Sequence, residues 1–126
     1  ASRRHAVAQK DVLGRSGEAR AAAYLRECGY EILDQNWRCR DGEIDIVAER
    51  DGALVIVEVK TRRGVGFGHP FDSITAQKLT RLHRLAVAWA VAHPQQARGR
   101  ELRVDAISVL GADPAHAVLE HIAGLQ

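Results

Sequence analysis

No hydrophobic run in this sequence approaches the roughly 18 residues that a membrane-spanning helix requires, so no membrane helix and no membrane partner are expected. Cysteine is scarce. Cys28 and Cys39 are the only two, they lack C-x-x-C spacing, and no His–Cys cluster offers the ligand pattern of a zinc site. The opening stretch, ASRRHAVAQKDVLG, lacks the apolar centre of a signal peptide. Together these absences lead to the expectation of a reducing, cytoplasmic setting. Internal repeats, low-complexity tracts and long linkers are also missing. One domain is therefore expected over residues 1–126, with 1–13 as a loosely ordered lead-in. Aromatic residues are few, which places Trp37 and Trp89 in the expected core.

The chain does have the material for a core: 46% of its residues are hydrophobic and 27% charged, a balance that excludes disorder. The net charge of +2 permits a polyanionic partner without demanding one. Patterning sets the elements. An Ala-rich helix over 15–28 ends at Gly29, and a strand covers 30–38. Strands over 43–49 and 53–60 flank Asp51-Gly52, the dipeptide of a two-residue type I′ hairpin turn. A glycine-rich loop follows. The strongest helix spans 75–92, with Leu79, Leu82, Ala86, Trp89 and Ala90 at helical spacing. PQQARGRE reads as loop, 102–110 as a strand and 117–122 as a weaker one. The order α-β-β-β-α-β-β predicts an α/β domain, a sheet with helices packed on it.

The hairpin poses a chemical question. If Asp51-Gly52 is the turn, Asp45 faces Glu58 and Glu43 faces Lys60, with Asp45, Glu58 and Lys60 on one face. The second strand, ALVIVEV, is apolar on both faces and so central and covered. Two opposed carboxylates repel, and burial raises that cost. Lys60 offsets part of it. A hard divalent cation, held by one or two carboxylates plus phosphate oxygens, offsets it better. The bland alternative is strand-end charges in solvent, with Glu43–Lys60 an ordinary ion pair. Glu18 sits on the stripe of Ala21, Ala22 and Leu25, a carboxylate facing the core; its bland reading is a helix-start acid favoured by the dipole.

Asp45, the Glu58-Val59-Lys60 strand and a helical Glu18 resemble the PD-(D/E)XK nuclease superfamily. A more specific resemblance is to the YraN family (uncharacterised protein family 0102), itself similar to archaeal Holliday-junction resolvases. It is carried by GRSGEARAAAYL, NWRCRDGEIDIVA, VIVEVKTR, HPFDSITAQK and LRVDAISV, between positions 14 and 109. The resemblance implies a restriction-endonuclease-like core, a mixed central sheet flanked by helices. It implies Asp45 and Glu58 as ligands of Mg²⁺ (or Mn²⁺), Lys60 as the group that orients or activates the attacking water, and Glu18 and Gln77 as further active-site residues. One departure is that Ile44 stands where the superfamily has proline.

Basic residues flank these acids from three segments: Arg38 and Arg40, Arg62 and Arg63, and Lys78, Arg81 and Arg84 along the long helix. Such clusters contact phosphates without reading sequence; a solvated helix face is the bland alternative. His69 is expected as a turn element and Asp105 carries no assigned chemistry. The expected function is metal-dependent phosphodiester hydrolysis on structured or branched DNA. The alternatives are a nucleic-acid-binding module with little or no turnover, and an assembly scaffold. Resolvase-like enzymes often pair two sites, which leaves a homodimer open.

Overall fold

The computed structural model describes residues 2–64, 70–111, 113 and 116–125; His69 lies outside them. Its elements are α1 (Ser2–Glu27), β1 (Glu31–Cys39), β2 (Gly42–Arg50), β3 (Ala53–Arg62), a 3-10 turn (Pro70–Ser73), α2 (Ala76–Ala92), the single-turn α3 (Pro94–Ala97), β4 (Glu101–Leu110) and β5 (Val118–Ile122). The expected order is present. The strands form one mixed sheet in the order β1-β2-β3-β4-β5, with β3 and β4 parallel and the other pairs antiparallel.

Local chemistry explains the boundaries. Asp51 and Gly52 both have positive φ, 49° and 82°, as a type I′ turn demands. That turn fixes the β2–β3 register: Arg50 pairs with Ala53, Val47 with Ile56 and Ile46 with Val57. Gly29, at φ 88°, ends α1. Its N–H reaches the Arg26 carbonyl, and the Tyr30 N–H reaches that of Leu25, a Schellman closure. Two expectations shift. Helical backbone starts at Ser2, through residues expected as a loose lead-in; Gly14 and Gly17 cost about 1 kcal/mol each in a helix but do not terminate one. And part of PQQARGRE forms α3, because Pro94 in the first turn gives up an N–H that the helix does not use.

The two helices cover opposite faces. Ala21, Ala22 and Leu25 of α1 pack with Val55, Val57 and Val59. Leu82, Leu85, Ala86 and Trp89 of α2 pack with Leu54 and Ile56. Strand β3 is thus buried on both sides, as its apolar run indicates. Strand β2 breaks its own alternation: Ile44 joins the α2-side cluster and Ile46 the α1-side cluster, although a regular strand would point both the same way. Opposite this break stands Asn36, at φ 54°. Asp45 lies between Ile44 and Ile46, at the point where the strand turns over.

Candidate functional site

A cleft of about 640 Å³ opens where α1, α2 and the ends of β1–β3 converge. Its acids are Glu18, Glu43, Asp45 and Glu58; its bases include Arg38, Lys60, Lys78 and Arg81. Each arrives for a local reason. Gly17 lets α1 lie almost on β3: a Cβ added there would stand 2.0 Å from Thr61 Oγ1. That contact brings the next residue, Glu18, to the cleft. The break in β2 presents Asp45, and the end of the central strand presents Glu58 and Lys60. Thr75 caps α2 by accepting from the Lys78 N–H at 3.1 Å, which fixes the first turn and so Lys78.

One oxygen from each of Glu18, Glu43 and Asp45 lies within 4.8 Å of the others. Asp45 is the most perturbed. Burial, then the charge of Glu58, push its carboxyl from the ordinary 3.8 up to about 7, although the Val59 N–H donates to it at 2.8 Å. Glu18 also rises, chiefly by burial and by the repulsion of Glu43 and Glu58, against a hydrogen bond with Asn36. Three carboxyl oxygens this close together are a donor set that fits a divalent cation such as Mg²⁺ or Mn²⁺.

Glu58 is held differently. Its Oε1 lies 3.0 Å from Lys78 Nζ and 3.6 Å from Lys60 Nζ. Burial and the adjoining Lys78 lower the Lys60 ammonium from its usual range, against the pull of Glu58. Burial would lower Lys78 as well, but Lys60 and the Glu58 carboxylate outweigh it and Lys78 rises. A second groove, lined by Thr75, Gln77, Thr80 and Arg84, adjoins the cleft and shares Lys78 and Arg81 with it.

The structure therefore brings Glu18, Asp45, Glu58 and Lys60 together. Arg38, Lys78 and Arg81 join them, and Arg84 continues the basic line into the groove. Gln77 is exposed and lines that groove, not the cleft. Arg40 is exposed in the β1–β2 turn, Arg62 is half-buried at the end of β3, and Arg63 is exposed just beyond. Glu43 does not pair with Lys60: Arg38, its partner across β1–β2, takes it at 3.1 Å. Glu43 and Asn36 are site residues that sequence reasoning missed. Glu43 stands two positions before Asp45 on one strand, and Asn tolerates positive φ, so both signals were present.

Asp105 belongs elsewhere. Fully buried on β4, it accepts from Arg103 Nε at 2.9 Å, Tyr30 Oη at 3.2 Å and the Gly124 N–H at 3.0 Å, and lies 2.8 Å from His121 Nε2. Burial alone would raise its carboxyl; His121, Arg103 and Gly124 together hold it down at about 2. This network ties β5 to the sheet beneath α1.

The model of the uncharacterised protein family UPF0102 matches residues 17–109, from the glycine before Glu18 to the end of the β4 core. A UPF0102 protein of Paenarthrobacter aurescens (strain TC1) is 50% identical over 116 residues, 92% of this chain and 94% of the relative. One from Arthrobacter sp. (strain FB24) is 49% identical over 92% of this chain and 97% of its own length. One from Kineococcus radiotolerans is 44% identical over 94% and 97%. The chain belongs to the UPF0102 family.

Proposed function

We propose that this UPF0102 member is a metal-dependent nuclease that hydrolyses phosphodiester bonds in structured or branched DNA. One observation carries the reading: carboxylates from α1, β2 and β3 meet in one cleft beside Lys60, Lys78 and Arg81. The fold holds Asp45 against the repulsion of Glu58, Glu18 and Glu43, and the same set suits a hard cation. A bound Mg²⁺ or Mn²⁺ would polarise a phosphoryl oxygen and acidify water. Glu18, Glu43 and Asp45 would hold it. Asp45 would give up its proton on taking up that role. Lys60, half-buried at the end of β3 beside Glu58, would neutralise charge that develops on a phosphate. Arg81 and Arg84 extend the positive surface along α2, for phosphate contacts that position a strand without reading its bases. The choice of branched DNA rests on the resemblance to junction resolvases.

The test is cleavage of labelled duplex, flap and four-way-junction DNA with Mg²⁺ or Mn²⁺, beside a gel shift in Ca²⁺. Cleavage of at least one branched substrate is expected. Binding without cleavage in either metal would favour a nucleic-acid-binding module, and neither binding nor cleavage would leave a scaffold.

A further inference from the structure

We propose that Lys78 is a positioning residue of the cleft: it holds the Glu58 carboxylate in the cation-free protein and surrenders it when a divalent cation binds. The inference rests on the cation reading of the cleft and adds an element to it. Three carboxylates form the cluster of near oxygens, and Glu58 is not among them. The reason is visible. Lys78 Nζ sits 3.0 Å from Glu58 Oε1, closer than Lys60 Nζ at 3.6 Å to the same oxygen. Glu58 has only 12% of its side chain exposed and needs such a partner.

Both lysines hold the same oxygen, Oε1, so a cation that takes this oxygen beside Asp45 displaces one of them. Lys60 is on the same strand, two residues away, and its attachment keeps it near. Lys78 comes from another element. Its Cα is fixed by the Thr75 cap, but its four-carbon stem lies at the junction of the cleft and the basic groove. Released from Glu58, its ammonium remains beside Arg81 and Arg84, where a phosphate would lie. Glu58 exchanges one positive partner for another, and the lysine it releases becomes available to a phosphate. Cation and phosphate binding are then coupled through one side chain, each favouring the other.

The experiment is calorimetric titration of Mn²⁺ and of Mg²⁺ into the parent, Lys78→Met, Lys78→Arg and Arg81→Met, with melting curves to verify folding. Lys78 keeps 24% of its side chain exposed on a surface helix, so Met is tolerated. Lys78→Met should bind Mn²⁺ roughly fivefold or more tightly than the parent, the lower end of ordinary coupling. Lys78→Arg, which restores the ion pair, should return to the parent value. Arg81→Met, which removes a charge from the same cleft but not from Glu58, should change affinity less than twofold, well below the lower end of ordinary coupling. Unchanged affinity in Lys78→Met overturns the inference. So does equal tightening in Arg81→Met, which would reduce Lys78 to a nearby charge. A parent that binds neither ion overturns the cation reading itself, a result distinct from these two.

Discussion

The Asp45 carboxylate accepts a hydrogen bond from the Val59 backbone N–H at 2.8 Å, reaching across to β3 just past Ile46–Val57, the last residue pair of the β2–β3 ladder. The side chain thus substitutes for a rung of the sheet, while its charge is opposed by Glu58, Glu18 and Glu43. One residue is both stitched into the fold and electrostatically out of place there.

The first prediction follows from that conflict. Asp45 titrates at about 7 in the fold against an ordinary 3.8. A raised carboxyl means the native state binds more protons than the unfolded state between those values. Its contribution is fully present below about 3.8 and is lost as pH rises through about 7. Metal-free protein should therefore lose stability from weakly acidic to mildly alkaline pH. Asp45→Asn, which keeps an acceptor for Val59, should remove most of that slope. In chelator at pH 8 it should be more stable than the parent by on the order of 1–3 kcal/mol. Urea melts at pH 5.5 and 8 decide it. A variant that melts well below the parent at pH 8 would make the carboxylate structural.

The acid limb has the opposite sign and another source. Asp105 is held at about 2, so its contribution is present above the ordinary 3.8 and disappears as pH falls through about 2. Removing the carboxylate strands Arg103 and unties His121, Tyr30 and Gly124. Asp105→Ala should cost about 3–5 kcal/mol at neutral pH. It should also loosen β5 first, seen as faster amide exchange at Leu119–Ile122 than in β2 or β3. Equal loss of protection across the sheet would argue against a local staple.

A third prediction concerns the approach of α1. A methyl on Gly17 would meet Thr61 Oγ1 at 2.0 Å and its Cγ2 at 2.7 Å. Gly17→Ala should destabilise by roughly 1–3 kcal/mol, through overpacking that outweighs better helix propensity. Because Glu18 rides on that turn, Mn²⁺ affinity should fall as well. Pairing the change with Thr61→Ala removes the two nearest atoms and should recover part of both. Recovery of stability without recovery of ion binding would separate Glu18 from the site.

Much of this arrangement was legible in the sequence, because the turn chemistry of Asp51-Gly52 fixes register by counting. That count put Asp45, Glu58 and Lys60 on one face, and helical spacing put Glu18 on the core stripe; the cleft contains all four. The count failed where the ladder ends. Asp45 was matched with Glu58, and Glu43 with Lys60, as though pairing continued past Ile46–Val57, yet β2 turns over at Asp45, whose carboxylate takes the Val59 N–H, and Glu43 meets Arg38 across the other edge. Gln77 and Lys78 were both drawn to the site, but neighbours on a helix point about 100° apart, and only Lys78 enters the cleft. The Asp105 network links residues from β4, β5, the α1–β1 junction and the segment after β5. No local pattern announces such contacts, because tertiary packing alone creates them.

The last prediction separates catalysis from binding at Lys60. Lys78, Arg81 and Arg84 form a basic line that would supply phosphate contacts whether or not a bond is cut. Affinity should fall steeply as salt rises, and Arg84→Ala should reduce the slope by about one contact without touching the cleft acids. Lys60 is placed otherwise, half-buried against Glu58 with its ammonium lowered by burial and Lys78. If it neutralises charge that develops only in the transition state, Lys60→Ala should bind junction DNA within a factor of about two of the parent, since one contact among several contributes modestly. Cleavage should drop by roughly 10²–10³, the usual cost of losing one such group. Single-turnover cleavage with saturating enzyme, beside Ca²⁺ gel shifts, measures the two separately. A variant that loses binding and cleavage in the same proportion would place Lys60 among the phosphate contacts and leave the cleft without its proposed catalytic cation.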